Sequence, residues 1–140
     1  ASFDAVVTTL VLCSVRDPAQ VVAEISRVLK PGGRYLFMEH VRSEEPGFDG
    51  LGVVQDIFDP LQVLTAAGCH LNRRTGDTIL ATTAAGGTKV GGMKAAPLFE
   101  SVDHFERFSA MGDQGEQFLI SPHVSGVARK ARAESVAGSA

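Results

Sequence analysis

The sequence predicts an α/β fold in which a mainly parallel sheet is flanked by helices. Three stretches predict it: apolar, β-branched runs at residues 3–12 and 34–41, and an amphipathic segment between them that follows Asp17. A strand, a helix and a second strand joined by short turns form a right-handed crossover, which leaves the two strands parallel and adjacent.

The elements of this unit follow in order. The run at 3–12 is almost continuously apolar, which is typical of an interior strand covered on both faces. Asp17 suits a helix N-cap and Pro18 a first turn, so a helix is predicted to begin here. The string Lys30-Pro31-Gly32-Gly33 is predicted to end that helix before the second strand, because Pro31 cannot continue a helix.

The middle of the chain predicts a loop and a second helix. Residues 42–50 are polar and form a loop at the carboxyl end of the second strand, where open α/β sheets bind ligands. Apolar spacing over 51–67 predicts a helix, with a break near Asp59 because Asp59-Pro60 resembles a new cap and first turn. Gly68 is expected to close this helix.

The last part of the chain is less regular. Residues 69–95, with Gly86-Gly87 and Gly91-Gly92, fit neither the helical nor the strand period, whereas Leu98, Val102, Phe105 and Phe108 have helical spacing. The sequence leaves open whether residues 75–117 form strands or helices. A polar loop is predicted over 112–117 and a strand over 119–129. We expect residues 1–130 to form one domain and 131–140 to form a disordered tail, because that tail has little apolar content.

Composition excludes several classes of function. The 140 residues carry 13 Lys and Arg against 16 Asp and Glu, for a net charge of -3, so we expect no nucleic-acid partner. Two cysteines cannot form a disulfide framework, and no apolar run is long enough to span a bilayer. We therefore expect an intracellular protein, cytoplasmic or organellar. The first residue is Ala1 rather than Met, and a buried strand is already predicted from residue 3, which predicts a fragment.

Several motifs resemble a known enzyme family. The string Glu-Ile-Ser-Arg-Val-Leu-Lys-Pro-Gly-Gly at 24–33, after Phe-Asp-Ala-Val-Val at 3–7, resembles the middle of class I S-adenosylmethionine-dependent methyltransferases of type 11. Five further pieces are similar to the thiol S-methyltransferases of the methyltransferase-like group: residues 9–15, residues 37–41, Asp59-Pro60 with Gly68-Cys69, residues 96–98, and residues 122–126. The resemblance covers residues 2 to 130, apart from an extra stretch around 99–118.

The resemblance implies a Rossmann-like sheet of seven strands, of which this chain holds strands 4 to 7 with flanking helices. It implies S-adenosylmethionine as cofactor and a small-molecule methyl acceptor, with a thiol as the indicated class. The Gly-rich turn after the family's first strand has no counterpart here, so the enzyme is expected to be incomplete. Animal members carry an N-terminal membrane anchor, and this chain has no such anchor, so membrane association would require a further N-terminal segment.

The resemblance also implies the cofactor site. It maps onto residues at and after the first strand, namely Thr8, Thr9, Leu10, Cys13 and Ser14. The alternative is that Thr8 and Thr9 are only β-formers in a strand, and that Cys13 is a packed core cysteine.

Glu39 and His40 are the predicted catalytic residues. They end the second strand, beside the same crevice, where one of them could orient or deprotonate an acceptor thiol. Alternation along a strand places them on opposite faces, so at most one is expected to face the crevice. The alternative is that both are satisfied by structural hydrogen bonds.

The sequence gives less support to other sites and other functions. Cys13, His40, Cys69 and His70 could in principle gather around zinc, but no Cys-x-x-Cys or His-x-x-x-His spacing supports this, so no metal site is predicted. The alternative function is a non-catalytic half-domain that pairs with a partner subunit, because the first strand would otherwise expose a sheet edge, through which the chain could also self-associate. A nicotinamide-dependent oxidoreductase is disfavoured, since no dinucleotide fingerprint is present.

Overall fold

The computed structural model describes residues 1–44, 49–83, 97–110 and 119–132, and the backbone at 89–90 and 93–94. The elements in chain order are β1 (Phe3–Thr9), α1 (Pro18–Val28), β2 (Leu29–His40), α2 (Gly50–Thr65), α3 (Thr75–Ala81), β3 (Lys89–Val90), β4 (Met93–Lys94), β5 (Ser101–Ser109) and β6 (Pro122–Arg129).

Four strands form the main sheet in the order β1-β2-β6-β5. β1 and β2 are parallel, whereas β6 is antiparallel to both β2 and β5. Within the part of the chain that the structure describes, β3 and β4 form a separate two-stranded antiparallel sheet. The α/β class and the β1-α1-β2 unit are therefore confirmed, as is a strand within 119–129. Among the described residues, no helix is long and apolar enough to cross a bilayer.

The first helix begins as predicted but ends earlier. The Asp17 carboxylate accepts hydrogen bonds from the backbone N–H groups of Ala19 and Gln20. α1 stops at Val28, and the predicted terminator string lies within β2. Gly32 has φ of 75° and donates its N–H to the Lys130 carbonyl, so the string forms an irregularity in a strand rather than a helix end.

The predicted break at Asp59 is wrong. α2 runs continuously through Pro60. The Asp59 carboxylate does not cap a new helix, because it accepts the Leu71 N–H at 2.7 Å and faces His70 Nδ1 at 3.0 Å. Gly68, with φ of 80°, donates its N–H to the Val63 carbonyl and closes the helix as predicted.

The choice between strand and helix, which the sequence left open over 75–117, falls to a strand at 101–109: the segment with helical spacing contains β5. The register between β5 and β6 shifts between Asp103 and Glu106, and His104 has φ of 52°. Such a bulge adds one residue to a strand. Val102 and Phe105, three positions apart, therefore both pack against the core, which imitates helical spacing.

One face of the sheet carries the core. Tyr35, Phe37 and Glu39 of β2 are buried. The two aromatic residues form one apolar cluster with Ile25 of α1 and Ile79 of α3. The prediction that β1 is an interior strand is wrong for the described chain. β1 forms one edge of the sheet there, with Phe3 55% exposed and Val7 67% exposed.

Several predictions fall outside the described residues. These are the Gly86-Gly87 and Gly91-Gly92 pairs, the polar loop at 112–117, and residues 133–140 of the predicted tail. The single-domain boundaries at 1–130 stay a prediction.

Candidate functional site

The carboxyl ends of β1 and β2 meet at one edge of the sheet. The strands are parallel and in register, with Thr8 opposite Phe37 and Thr9 opposite Met38. The chain leaves β1 at Leu10, whose φ of 56° turns it sharply while its N–H donates to the Met38 carbonyl at 2.9 Å. A turn of this kind in a non-glycine residue marks a strained position that its surroundings hold in place.

Glu39 holds the loop that follows β1. Its Oε2 accepts the backbone N–H groups of Val11 and Leu12, each at 2.9 Å. Arg73 supports the same loop by donating from Nη1 to the Leu12 carbonyl at 2.6 Å. Sequence reasoning missed Arg73, since nothing local marks a residue whose partner lies 61 positions away.

The electrostatics of Glu39 follow from its position. The side chain is 0% exposed, and Oε1 has no hydrogen-bond partner among the described residues. Burial raises the pKa of Glu39 above its ordinary value, against the backbone N–H groups of Leu12 and Val11, which favour the carboxylate. The carboxylate is thus a structural clamp on the loop.

The five predicted cofactor residues divide into two groups. Thr9, Leu10 and Ser14 are exposed, so a ligand at the strand ends can reach them. Thr8 is half-buried and shares a hydrogen bond of 2.8 Å with the Tyr35 hydroxyl. Cys13 is buried, with its Sγ 3.6 Å from the Leu10 carbonyl and 3.5 Å from Ser14 Oγ.

His40 lies with two cysteines. The ligand atoms of Cys13, His40 and Cys69 are all within 4.8 Å of one another, and His40 Nδ1 is 3.8 Å from Cys69 Sγ. Burial, together with the neighbouring His123, lowers the pKa of His40 to about 4. Burial, with Cys13 beside it, raises the pKa of the Cys69 thiol to about 11. Both cysteines are free.

The two predicted catalytic residues are therefore both inside the protein. Glu39 binds the loop after β1, and His40 lies beside Cys69. At 0% and 3% exposure, neither reaches solvent.

A cavity of about 310 Å³ opens beyond the end of β2. Its lining includes Val41, Arg42, Leu51, Phe108 and His123, and it contains none of the predicted cofactor residues. It adjoins the site through His123, whose ring lies 6.3 Å from that of His40.

This architecture is shared with solved structures. The chain is similar to a methyltransferase from Methanosarcina mazei described as S-adenosylmethionine-dependent, with a TM-score of 0.59 and 18% identity over 94% of this chain and 60% of that one. The fold is that of the class I methyltransferases. It is also similar to the [4+2]-cyclase SpnF, with a TM-score of 0.56 and 16% identity over 94% of this chain and 52% of that one. A single fold thus carries more than one named activity.

Sequence comparison gives more specific relatives. A family model described as a methyltransferase domain, type 11, matches residues 1–37. The chain is 49% identical over 75 residues to thiol S-methyltransferase TMT1B of Rattus norvegicus, and 43% identical over 74 residues to TMT1A of Homo sapiens. These matches span 54% and 53% of this chain but 30% of each relative. The resemblance to thiol S-methyltransferases is therefore confirmed over part of their length.

Proposed function

We propose that this chain is part of an S-adenosylmethionine-dependent methyltransferase that methylates a small-molecule thiol. The observation that carries the proposal is the loop after β1, which Glu39 holds by two hydrogen bonds at the carboxyl end of the parallel β1–β2 pair. Open α/β sheets bind their ligands outside such strand ends. The relatives named thiol S-methyltransferases support the reaction class.

The exposed residues of this loop form the proposed cofactor contact. Thr9 and Ser14 offer hydroxyl groups, and Leu10 offers an apolar side chain at the turn. Thr8 and Cys13 act beneath them by fixing the strand end and the loop, because their own polar atoms already have protein partners. Methyl transfer from a sulfonium is a displacement that requires mainly alignment of the acceptor with the methyl group.

The cavity beside β2 is the proposed acceptor site. Its volume of about 310 Å³ lies at the lower end of the range for small-molecule pockets, and apolar side chains contribute to its wall. A thiol has an ordinary pKa of about 8.5, so a fraction is ionised at neutral pH without a strong base. A direct role of Glu39 or His40 in removing the proton stays a prediction.

Cofactor binding is tested by calorimetric titration of the chain with S-adenosylhomocysteine, with circular dichroism to verify folding. We expect micromolar binding that weakens at least tenfold in Thr9→Ala with Ser14→Ala. Thr65→Ala, which removes an exposed hydroxyl on α2, is the matched control and should bind normally. A folded chain that produces no binding heat contradicts cofactor binding by this chain.

Acceptor binding is tested separately with methyl-labelled S-adenosylmethionine and a set of small thiols. Leu51→Trp fills the cavity and is expected to raise the KM for the thiol while leaving the Kd for S-adenosylhomocysteine unchanged. Transfer to oxygen or nitrogen acceptors but to no thiol would contradict the thiol assignment alone.

A second candidate function is a half-domain that pairs with a partner subunit. The exposed apolar surface favours it: Phe3 and Val7 on β1 face solvent, as do apolar side chains along α2, namely Val54, Ile57, Phe58, Leu61 and Leu64. Contiguous exposed apolar surface commonly marks an interface. Sedimentation of the chain should show self-association that Val7→Lys weakens; a monomer at high concentration contradicts self-pairing.

A further inference from the structure

We propose that Cys13, His40 and Cys69 form a binding site for a thiophilic metal ion of the zinc class. The three residues come from the loop after β1, the end of β2 and the segment after α2. Their spacing of 27 and 29 positions carries no sequence signature, which is why the spacing alone predicted no metal site. This inference does not depend on the proposed methyl transfer.

The geometry is close to that of a formed site. Zinc bound at about 2.3 Å from sulfur and about 2.0–2.1 Å from nitrogen places those ligand atoms roughly 3.6 Å apart in a tetrahedron. His40 Nδ1 and Cys69 Sγ are 3.8 Å apart, and all three ligand atoms lie within 4.8 Å of one another. Small side-chain rotations therefore suffice to close the site around an ion.

The ligand set selects the class of ion. Two thiolates with one imidazole favour soft or borderline ions such as Zn²⁺ over Mg²⁺ or Ca²⁺, which prefer oxygen. Cys13 and His40 are each 3% exposed, so the surrounding protein holds both side chains in place. Cys69 is half-buried, which leaves a path for the ion to enter. Three protein ligands leave a fourth position for water or another ligand.

The neighbouring contacts position the ligands. Ser14 Oγ lies 3.5 Å from Cys13 Sγ and can donate to a thiolate there. The Cys13 carbonyl accepts the His70 N–H at 2.9 Å, which ties the loop of Cys13 to the residue beside Cys69. Asp59 holds His70 from the other side, at 3.0 Å from its Nδ1. Outer contacts of this kind orient metal ligands.

The test is titration of the reduced chain with Zn²⁺ against a chelating indicator, in a reductant that is not a thiol. We expect one ion per chain. Cys13→Ser and Cys69→Ser should each weaken binding at least about 100-fold, since loss of even an outer-shell partner costs about 10–100-fold. His40→Gln should also weaken binding, and His104→Asn, an exposed histidine outside the cluster, should not.

A second measurement does not depend on the variants. Co²⁺ bound to the wild-type chain should show thiolate-to-metal charge-transfer absorption, and bound Zn²⁺ should protect Cys13 and Cys69 from alkylation. A folded wild-type chain that takes up no Zn²⁺, or a cobalt complex without the thiolate band, overturns the proposal. Binding that survives in both cysteine variants overturns it as well.

Discussion

Glu39 Oε2 lies 2.9 Å from the backbone N–H of Leu12, a residue 27 positions earlier in the chain. This hydrogen bond joins the end of β2 to the loop that leaves β1. It gives a buried acidic residue a structural role at a place where sequence reasoning expected a catalytic one.

Truncation of Glu39 should loosen this loop. Glu39→Ala leaves the buried Leu12 N–H without an acceptor, which costs about 1–3 kcal/mol in the free energy of unfolding. Glu39→Gln retains an acceptor oxygen and should cost less. Urea denaturation measures the loss of unfolding free energy. Faster hydrogen exchange at the amide of Leu12 would show that the loop after β1 is the part of the chain that is destabilised. Glu24→Gln, on the exposed face of α1, is the control and should show no measurable change. Equal stability of the wild-type chain and Glu39→Ala would contradict the clamp.

Gly126 lies directly against the ring of Phe37 on the neighbouring strand β2. A Cβ there would lie 2.7 Å from Cζ of Phe37, whose ring is 6.3 Å from that of Phe105. Gly126→Ala should destabilise the chain by about 1–3 kcal/mol through overpacking. Phe37→Leu should absorb part of this cost, so the double variant should be more stable than additivity predicts. Ser125→Ala, its half-buried neighbour, should change stability by less than about 0.5 kcal/mol. Simple additivity in thermal unfolding would argue against the clash.

The bulge in β5 depends on the backbone conformation of His104. Its φ of 52° is tolerated by His but strongly disfavoured for a β-branched residue. His104→Val should therefore destabilise the chain by about 1–3 kcal/mol, whereas His104→Gly should be neutral or stabilising. Comparison of the two variants by calorimetric unfolding checks the backbone conformation. A valine variant as stable as the glycine variant would contradict the bulge.

Asp49 should make stability depend on pH in the acid range. Burial opposes its charge, but hydrogen bonds from the Gly52 N–H, Ser43 and Arg42 hold the pKa of Asp49 below its ordinary value. The contribution is therefore fully present above the unfolded-state pKa of about 4 and is lost as pH falls toward the folded-state value. The urea midpoints of the wild-type chain and Asp49→Asn should differ at pH 6 and converge toward pH 3. A constant difference across that range would contradict the linkage.

The first half of the fold could be predicted because its signals are local. Asp17, Pro18 and the single apolar face of α1 lie within one helix, and two flanking apolar runs provide the strands. The candidate site was predictable only as a location. Thr9, Leu10 and Ser14 are exposed there as a binding role requires, but the partners of Glu39 and His40 are tertiary.

The sequence by itself determined the β1-α1-β2 unit, since capping and hydrophobic periodicity act over a few residues. Tertiary structure decided the rest. β5 is a strand because β6 pairs with it across a bulge, and Asp59 binds Leu71 instead of starting a helix. Cys13, His40 and Cys69 meet because three separate elements converge. Hydrophobic periodicity shows which side of a helix or strand is apolar. Only the packed chain determines which residues that are distant in sequence form hydrogen bonds and contacts with one another.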